Sequence, residues 1–273
     1  MPKILTNNSY AFFLVPFLFI LPARKSCAQR IEVGATLGAA NYVGDLAPSM
    51  VASETHPALG FFGRYNISSS FAVTAGINFT RVSGSDKHFP VNQPRNLSFR
   101  SNITEYATTV EFNFSKYALG ILDKKFTSYV FLGLGMFQYN PQAYYRNEWI
   151  DLRGIQTEGK SYNTLSMMIP FGMGIKWRMN RSFALEASVG FRKTYTDYLD
   201  DVSDTYSDVA QQQQNKGITA AILTDRSAEI NNGEFRNKPG YRRGNPDFND
   251  WYVMGGITLS YRIFNRQKCA RFY

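Results

Sequence analysis

The chain has 273 residues, of which 30 are Lys or Arg and 21 are Asp or Glu, a formal charge of +9. The basic side chains form no Lys/Arg-rich block, which argues against a nucleic-acid partner. Beyond an amino-terminal apolar run, no segment approaches the ~18 consecutive apolar residues of a membrane-spanning helix, so a soluble domain or a β-barrel remains.

The first element is a leader. Lys3 precedes the apolar run Ala11 to Leu21, and "SCAQ" places the small residues Ser26 and Ala28 where a leader peptidase reads. Residues 1–28 are therefore expected to be a cleaved signal peptide. A lipoprotein signal using Cys27 is disfavoured, because Arg24, Lys25 and Ser26 stand where small or apolar residues are needed. The leader carries Lys3, Arg24 and Lys25 and no acid, so cleavage leaves 27 basic against 21 acidic side chains and a charge of +6. It also removes Cys27. Cys269 is then alone, and no intramolecular disulfide can form.

Eight segments with a period of two follow: Ile31 to Gly44, Ala58 to Ile67, Phe71 to Val82, Asn102 to Phe114, Phe126 to Tyr139, Tyr162 to Arg178, Ser182 to Tyr195, and Asp250 to Phe264. The last is the clearest. Trp251, Val253, Ile257, Leu259, Tyr261 and Ile263 share one parity, and Thr258, Ser260 and Arg262 the other. Each segment meets the ~9 to 11 residues that a tilted membrane strand requires. Connections after odd-numbered segments are long, up to Thr196 to Asn249; those after even-numbered ones are shorter, Ser68 to Ser70, Ser115 to Lys125 and Met179 to Arg181. Aromatics such as Tyr65, Phe114, Trp177, Tyr195 and Trp251 fall near segment ends. The pattern predicts an all-β fold, an eight-stranded antiparallel transmembrane β-barrel with long external loops and short periplasmic turns. The competing fold is a secreted β-sandwich with an aromatic core. Residues 29–264 form the barrel, with a long loop at 196–249, and residues 265–273 a basic periplasmic tail.

If the apolar parity meets lipid, Glu32, Arg64, Asn78, Glu105, Glu111, Lys176, Glu186, Arg192 and Arg262 point inward. An eight-stranded barrel has an interior just wide enough for side chains to fill it. Both charge signs are present, so the expectation is a salt-bridged lumen plug and not a pore.

The stretch "TDYLDDVSDTY" carries Asp197, Asp200, Asp201 and Asp204 directly after a strand end. The acids are weak metal-ligand candidates: calcium needs six to eight oxygens and usually a glycine-rich turn, which this stretch lacks. The expectation is no metal and a solvated or hydrogen-bonded helix start. "QQQQ" at Gln211 to Gln214 suits a loop helix, with "GITAAILTD" packing on the barrel mouth. The two histidines, His56 and His88, fall in expected external loops without a motif-defined serine partner, so no catalytic triad is expected and no cofactor. "GLGMFQYN" holds a GxG inside a strand and is no dinucleotide fingerprint.

"NYVGDL" at Asn41 to Leu46, "FRKTYTDYLDDVSDTY" at Phe191 to Tyr206 and "RRGNPDFNDWYVMGGITLSYRI" at Arg242 to Ile263, in that order along the chain, resemble a family of small outer-membrane barrels of bacteria with type IX secretion, the family of the secretion component PorG. The resemblance implies a non-enzymatic barrel in the cell outer membrane, in contact with outer-membrane lipid. Its implied partner is a periplasmic ring-forming lipoprotein complex, which it helps to anchor. Paralogous barrels with a general structural or adhesion role are the alternative. The candidate docking surface is the turn from Ser115 to Phe126. It sets Lys116, Lys124 and Lys125 beside the apolar Leu119, Ile121 and Leu122, the combination in which burial supplies affinity and charge steers encounter. Apolar residues that merely plug the lower mouth are the competing explanation.

Overall fold

The computed structural model describes residues 31–117 and 124–263. The leader 1–28, the tail 265–273, both cysteines and Leu119, Ile121 and Leu122 lie outside the described residues.

Eight strands close on themselves: β1 (Ile31–Val43), β2 (His56–Asn66), β3 (Phe71–Ser85), β4 (Ser98–Asn113), β5 (Phe126–Tyr145), β7 (Leu165–Arg178), β8 (Phe183–Thr194) and β9 (Trp251–Arg262). A short β6 (Glu148–Asp151) pairs only with the far end of β5. Every neighbour is antiparallel, and closure is made by β1 against β9, from Glu32↔Arg262 to Val43↔Trp251. Among the described residues no helix is long and apolar enough to cross a membrane.

The period of two dictates which side meets what. On β3 the outward positions Phe71, Val73, Ala75, Ile77 and Phe79 alternate with inward Ala72, Thr74, Gly76 and Asn78, and the other barrel strands alternate likewise. From Phe71 to Phe79 the outward run spans about 20 Å along the barrel axis after allowance for tilt, close to the apolar band of a transmembrane barrel. At the short-turn end Tyr65, Phe71, Phe114, Phe126, Trp177 and Tyr261 stand exposed on the outer surface. Several touch as cross-strand or same-strand pairs, including Phe71 with Phe112 at 5.1 Å between ring centres. The outer surface is that of a transmembrane barrel.

Short turns at this end are fixed by single side chains. Ser68 Oγ accepts from the Ser70 and Phe71 amides, and Asn180 Oδ1 accepts from the Ser182 and Phe183 amides, so each chain reversal is stabilised locally. At the long-loop end the strands outrun their sequence boundaries. β3 continues to Ser85 instead of Val82, β4 begins at Ser98 instead of Asn102, and β5 reaches Tyr145 instead of Tyr139 and turns into β6 inside the expected loop 140–161. Outside the apolar belt the outward positions become polar, as at Arg81, Ser83, Arg100 and Asn102. The alternation signal ends there while the ladder bonds continue. In the other direction, the expected start at Tyr162 moves to Leu165, whose amide is taken by the Asn163 side chain.

Glycines permit the tightest interstrand approach. Gly38 faces Gly256 across the closing seam, and a Cβ on Gly38 would sit 2.1 Å from the Gly255 carbonyl oxygen. Gly172 and Gly190 form another cross-strand pair, and the Phe131 ring lies over both, 2.7 Å from where either Cβ would be. Gly38→Val is expected to destabilise the barrel by at least about 2 kcal/mol, because the obstacle is backbone. Gly63→Ala, where nothing lies within 4 Å of the added carbon, is expected to be neutral. The unfolding midpoint of heat-modifiable mobility in urea checks both.

Candidate functional site

Charged side chains fill the lumen at two levels. At the lower one Arg64 is the hub. Its Nη1 and Nη2 donate in a fork to Glu186 at 2.6 and 2.7 Å, Nη1 also reaches Glu32 at 3.0 Å, and Nε reaches Glu111 at 3.2 Å. Lys176 bonds Glu111 from the opposite wall and lies over the Tyr129 ring at 4.2 Å. Asn66 and Thr74 supply further donors to Glu32 and Glu111. Arg262 is half-buried, and its charge acts on Glu32. At the upper level Glu105 accepts from Arg192 Nε at 3.1 Å, Tyr252 at 2.8 Å and Asn78 at 2.8 Å. Between the levels lies a cavity of about 120 Å³. The inward charges are thus each met by an opposite charge or a neutral donor, as burial requires.

Above the upper level the lumen is apolar, and the acidic stretch supplies part of the filling. Leu199 and Val202 are fully buried in a cluster with Tyr42, Val82, Phe99, Phe137, Tyr139 and Tyr252. Each such side chain contributes roughly 1.5 to 3 kcal/mol by burial. Residues 196–206 contain no helix, contrary to the helix start expected there; the helix α2 (Val209–Lys216) begins later, capped by Asp208, which accepts from the Ala210 and Gln211 amides. Nor is the stretch solvated, since Asp200 and Asp201 are each 1 % exposed. The expectation failed because two apolar residues in an acidic run go into the barrel mouth and take the flanking carboxylates with them. α3 (Ile218–Thr224) packs through Leu223 on Ala143 and Leu152, that is, on the β5–β6 hairpin at the long-loop end and the short helix α1 (Leu152–Ile155).

The buried carboxylates are held by three stretches that meet. Tyr42, at the end of β1, places its hydroxyl 2.7 Å from Asp200 Oδ2 and 2.6 Å from Asp250 Oδ1. The other oxygen of each acid accepts a backbone amide, Val202 for Asp200 and Leu199 for Asp250. Asp201 has φ +66°, a conformation that aspartate tolerates better than most residues. Its carboxylate accepts from Thr157 and Tyr162 at 2.5 and 2.6 Å and lies 3.7 Å from Arg243. Arg243 also pairs with Glu158, which accepts the Ser203 and Asp204 amides. Asp204 pairs with Lys160 near the surface. Asp45 accepts the Asn245 amide at 2.7 Å, and Gly244 is needed there because a Cβ would come within 2.4 Å of the Asp45 carboxylate. Arg95 ties the β3–β4 loop in, through Asp86 and the carbonyls of Asp45 and Arg243.

A hydroxyl has one proton, yet Tyr42 makes two short contacts to carboxylates. One of them must be donated by the acid, so Asp200 and Asp250 hold one proton between them. Burial, reinforced for Asp200 by Asp250 and for Asp250 by Asp45, pushes both carboxyls up, Asp250 to about 8. Asp197, 8 % exposed, is likewise pushed up to about 8 by burial and then by Asp250. Asp201 rises only to about 6, because Arg243 opposes the effect of burial. Among the described residues no group of three or more His, Cys, Asp or Glu side chains is arranged to hold a metal ion.

The histidines meet a serine after all. His56, the first residue of β2, places Nε2 2.7 Å from Ser83 Oγ. Ser83 also bonds Glu54, whose other oxygen meets His88 Nε2 at 2.9 Å. In a nucleophilic triad the carboxylate orients the histidine. Here it takes the serine itself, so the chain of donors ends on Glu54, tying residues 52–54 to β3. At the short-turn end Lys116, Lys124 and Lys125 are exposed. Tyr42, Asp45, Glu158, Arg243 and Asp250 were not selected from sequence as site residues; four of the five lie in the quoted motifs, but spacing along the chain carried no sign that they meet.

Two expectations follow. Arg64→Ala leaves buried carboxylates without their partner and is expected to cost about 3 to 5 kcal/mol, with part recovered when Glu32 and Glu186 are also made glutamine; urea midpoints measure it. For the acids, folded affinity for the proton exceeds the unfolded one, whose pKa is near 3.9. Their contribution is complete below about pH 4 and is lost as pH rises through about 8. Between about pH 4 and pH 8, protection of the Leu199 and Val202 amides in hydrogen exchange is expected to fall roughly tenfold per pH unit beyond the intrinsic change, and to level off above about pH 8. Asp200→Asn, whose amide can donate to Tyr42 without a shared proton, should weaken that dependence by the share that Asp200 carries and leave the barrel folded.

No curated protein sequence matches the chain. Solved structures similar to it include the amino-terminal β-barrel domain of Pseudomonas aeruginosa OprF (12 % identity, 86 % of this chain and 98 % of that one, TM-score 0.37). Others are P. aeruginosa OprG (10 %, 86 % and 97 %, 0.43) and Neisserial surface protein A (9 %, 85 % and 97 %, 0.42). The family model described as "Domain of unknown function (DUF6089)" matches residues 11–216, more than half of the chain. The protein, a closed eight-stranded barrel with a buried acidic clasp at its long-loop end, belongs to the DUF6089 family.

Proposed function

We propose that the chain is a non-enzymatic barrel of the outer membrane that anchors a periplasmic lipoprotein ring in a type IX-like protein secretion machine. The observation that carries this reading is that the three stretches on which the resemblance to secretion barrels rests form one physical unit. Tyr42 and Asp45 come from the first, Asp200 and Asp201 from the second, and Arg243, Asn245 and Asp250 from the third; Tyr42 bonds Asp200 and Asp250, Asp45 takes the Asn245 amide, and Arg243 meets Asp201. Three motifs that build one hydrogen-bonded clasp are a stronger mark of kinship than three separate matches. The apolar belt with its aromatic edge supports a place in the outer membrane. The exposed Lys116, Lys124 and Lys125 support docking of an acidic or mixed periplasmic surface at the short-turn end. A docking role needs no catalyst, and the donor chain ending on Glu54 fits that.

The test replaces Leu119, Ile121 and Leu122 by serine and Lys116, Lys124 and Lys125 by glutamate. Barrel abundance and heat-modifiable mobility are expected to persist, with recovery of the crosslinked periplasmic ring reduced at least tenfold and secretion lost. Normal ring recovery at normal abundance would exclude this surface, and lost abundance would favour a lower-mouth plug. Orientation is checked in intact cells by an impermeant maleimide, expected to label Gln213→Cys and not Ser69→Cys.

A further inference from the structure

The apolar outer belt ends abruptly on two neighbouring strands. On β3 the outward residue after Phe79 is Arg81; on β4 the outward series Phe112, Val110, Thr108, Tyr106, Thr104, Asn102 reaches Arg100, with Ser98 after it. The register pairs Arg81 with Asn102 and Ser83 with Arg100, so the two arginines are diagonal neighbours on one face, within reach of each other. Each guanidinium is anchored at its inner nitrogen by a neutral amide. Arg81 Nε donates to Asn102 Oδ1 at 2.8 Å, and Arg100 Nε donates to Gln142 Oε1 at 3.1 Å. The Arg100 plane also lies 3.5 Å over the Trp149 ring, which fixes its direction.

What these arginines lack is an acid. Among the described residues neither forms an ion pair, and their like charges act on each other. Asp151, on the same edge, is engaged by Asn140 at 3.0 Å and by Gln142 at 2.6 Å. A repelling pair of oriented guanidiniums with unengaged outer amino groups matches a phosphate, which can accept from both. Depth identifies the source. Arg81 stands one outward position beyond Phe79 and Arg100 one rung further, past Thr104 and Asn102, at the level where lipid headgroups lie, and below them Phe79 and Tyr106 offer an apolar wall for acyl chains.

We propose that Arg81 and Arg100 form a binding site for the phosphate of a phosphorylated glycolipid in the leaflet at the long-loop end, with the sugar beside Trp149 and Tyr144. The site depends on the barrel crossing a membrane and is independent of any role in secretion.

The test uses the purified full-length barrel in neutral detergent, with Trp fluorescence and native mass spectrometry as readouts. The probes are a monophosphorylated lipid A, the same glycolipid dephosphorylated, and inorganic phosphate. Wild type is expected to bind the phosphorylated glycolipid at least tenfold more tightly than the dephosphorylated one, with inorganic phosphate a weak competitor. Arg81→Gln with Arg100→Gln should bring that ratio within twofold while keeping heat-modifiable mobility; Lys238→Gln, an exposed charge elsewhere, should leave it unchanged. Equal binding of the two glycolipids by wild type would overturn the proposal whether or not the double variant folds. So would an undiminished preference in the folded double variant. Inorganic phosphate competing as tightly as the lipid would overturn the assignment to a lipid.

Discussion

The constraint from which this barrel follows is that its interior is narrow and charged. A buried guanidinium without partners would be prohibitively costly, so Arg64 is met by three glutamates from three different strands, and Glu111 is shared with Lys176. Those strands must therefore be in register to within one residue, since a slip would turn each charge outward into the apolar belt. The ionic layer does not need to add net stability to matter. It makes wrong registers far worse than the right one, which is a specificity that the apolar outer face, facing lipid on all sides, cannot supply.

The upper mouth meets the same constraint with different chemistry. There the filling is apolar, and Leu199 and Val202 can enter only if the backbone and carboxylates around them find partners. Asp250 takes the Leu199 amide, Asp200 the Val202 amide, and Tyr42 bridges the two acids with the help of one proton. A fully ionised cluster would need a cation. The nearby guanidiniums of Arg243 and Arg95 are committed to Glu158, Asp201 and Asp86, so neutralisation by a proton is what remains.

The barrel was legible in the sequence because its signal is local: parity along each strand and the alternation of short and long connections are properties of contiguous residues. The inward set around Arg64 was legible for the same reason, parity alone sorting it from the lipid-facing set. The acidic stretch was not. Asp200 and Asp201 looked like surface groups because their composition is polar, and nothing nearby announces Tyr42, 158 residues away from Asp200, or Asp250 as partners. The expected strands stop short beyond Val82 on β3 and before Asn102 on β4, where outward residues have turned polar, since the hydrogen-bond ladder outlasts the hydrophobic pattern.

The contact between Tyr42 and Asp250 spans 208 residues and lies at the seam where the first strand meets the last. Tyr42 is made early in synthesis and Asp250 late, with the longest loop between them. The β1–β9 seam therefore stays open until nearly the whole chain is present, and the buried hydroxyl contact forms only when the final strand is in register. A cylinder fastened in this way signals its own completion: a truncated or mis-threaded chain leaves carboxylates and edge-strand amides exposed in the unsealed mouth, and such a chain is distinguishable from a finished one by its surface alone.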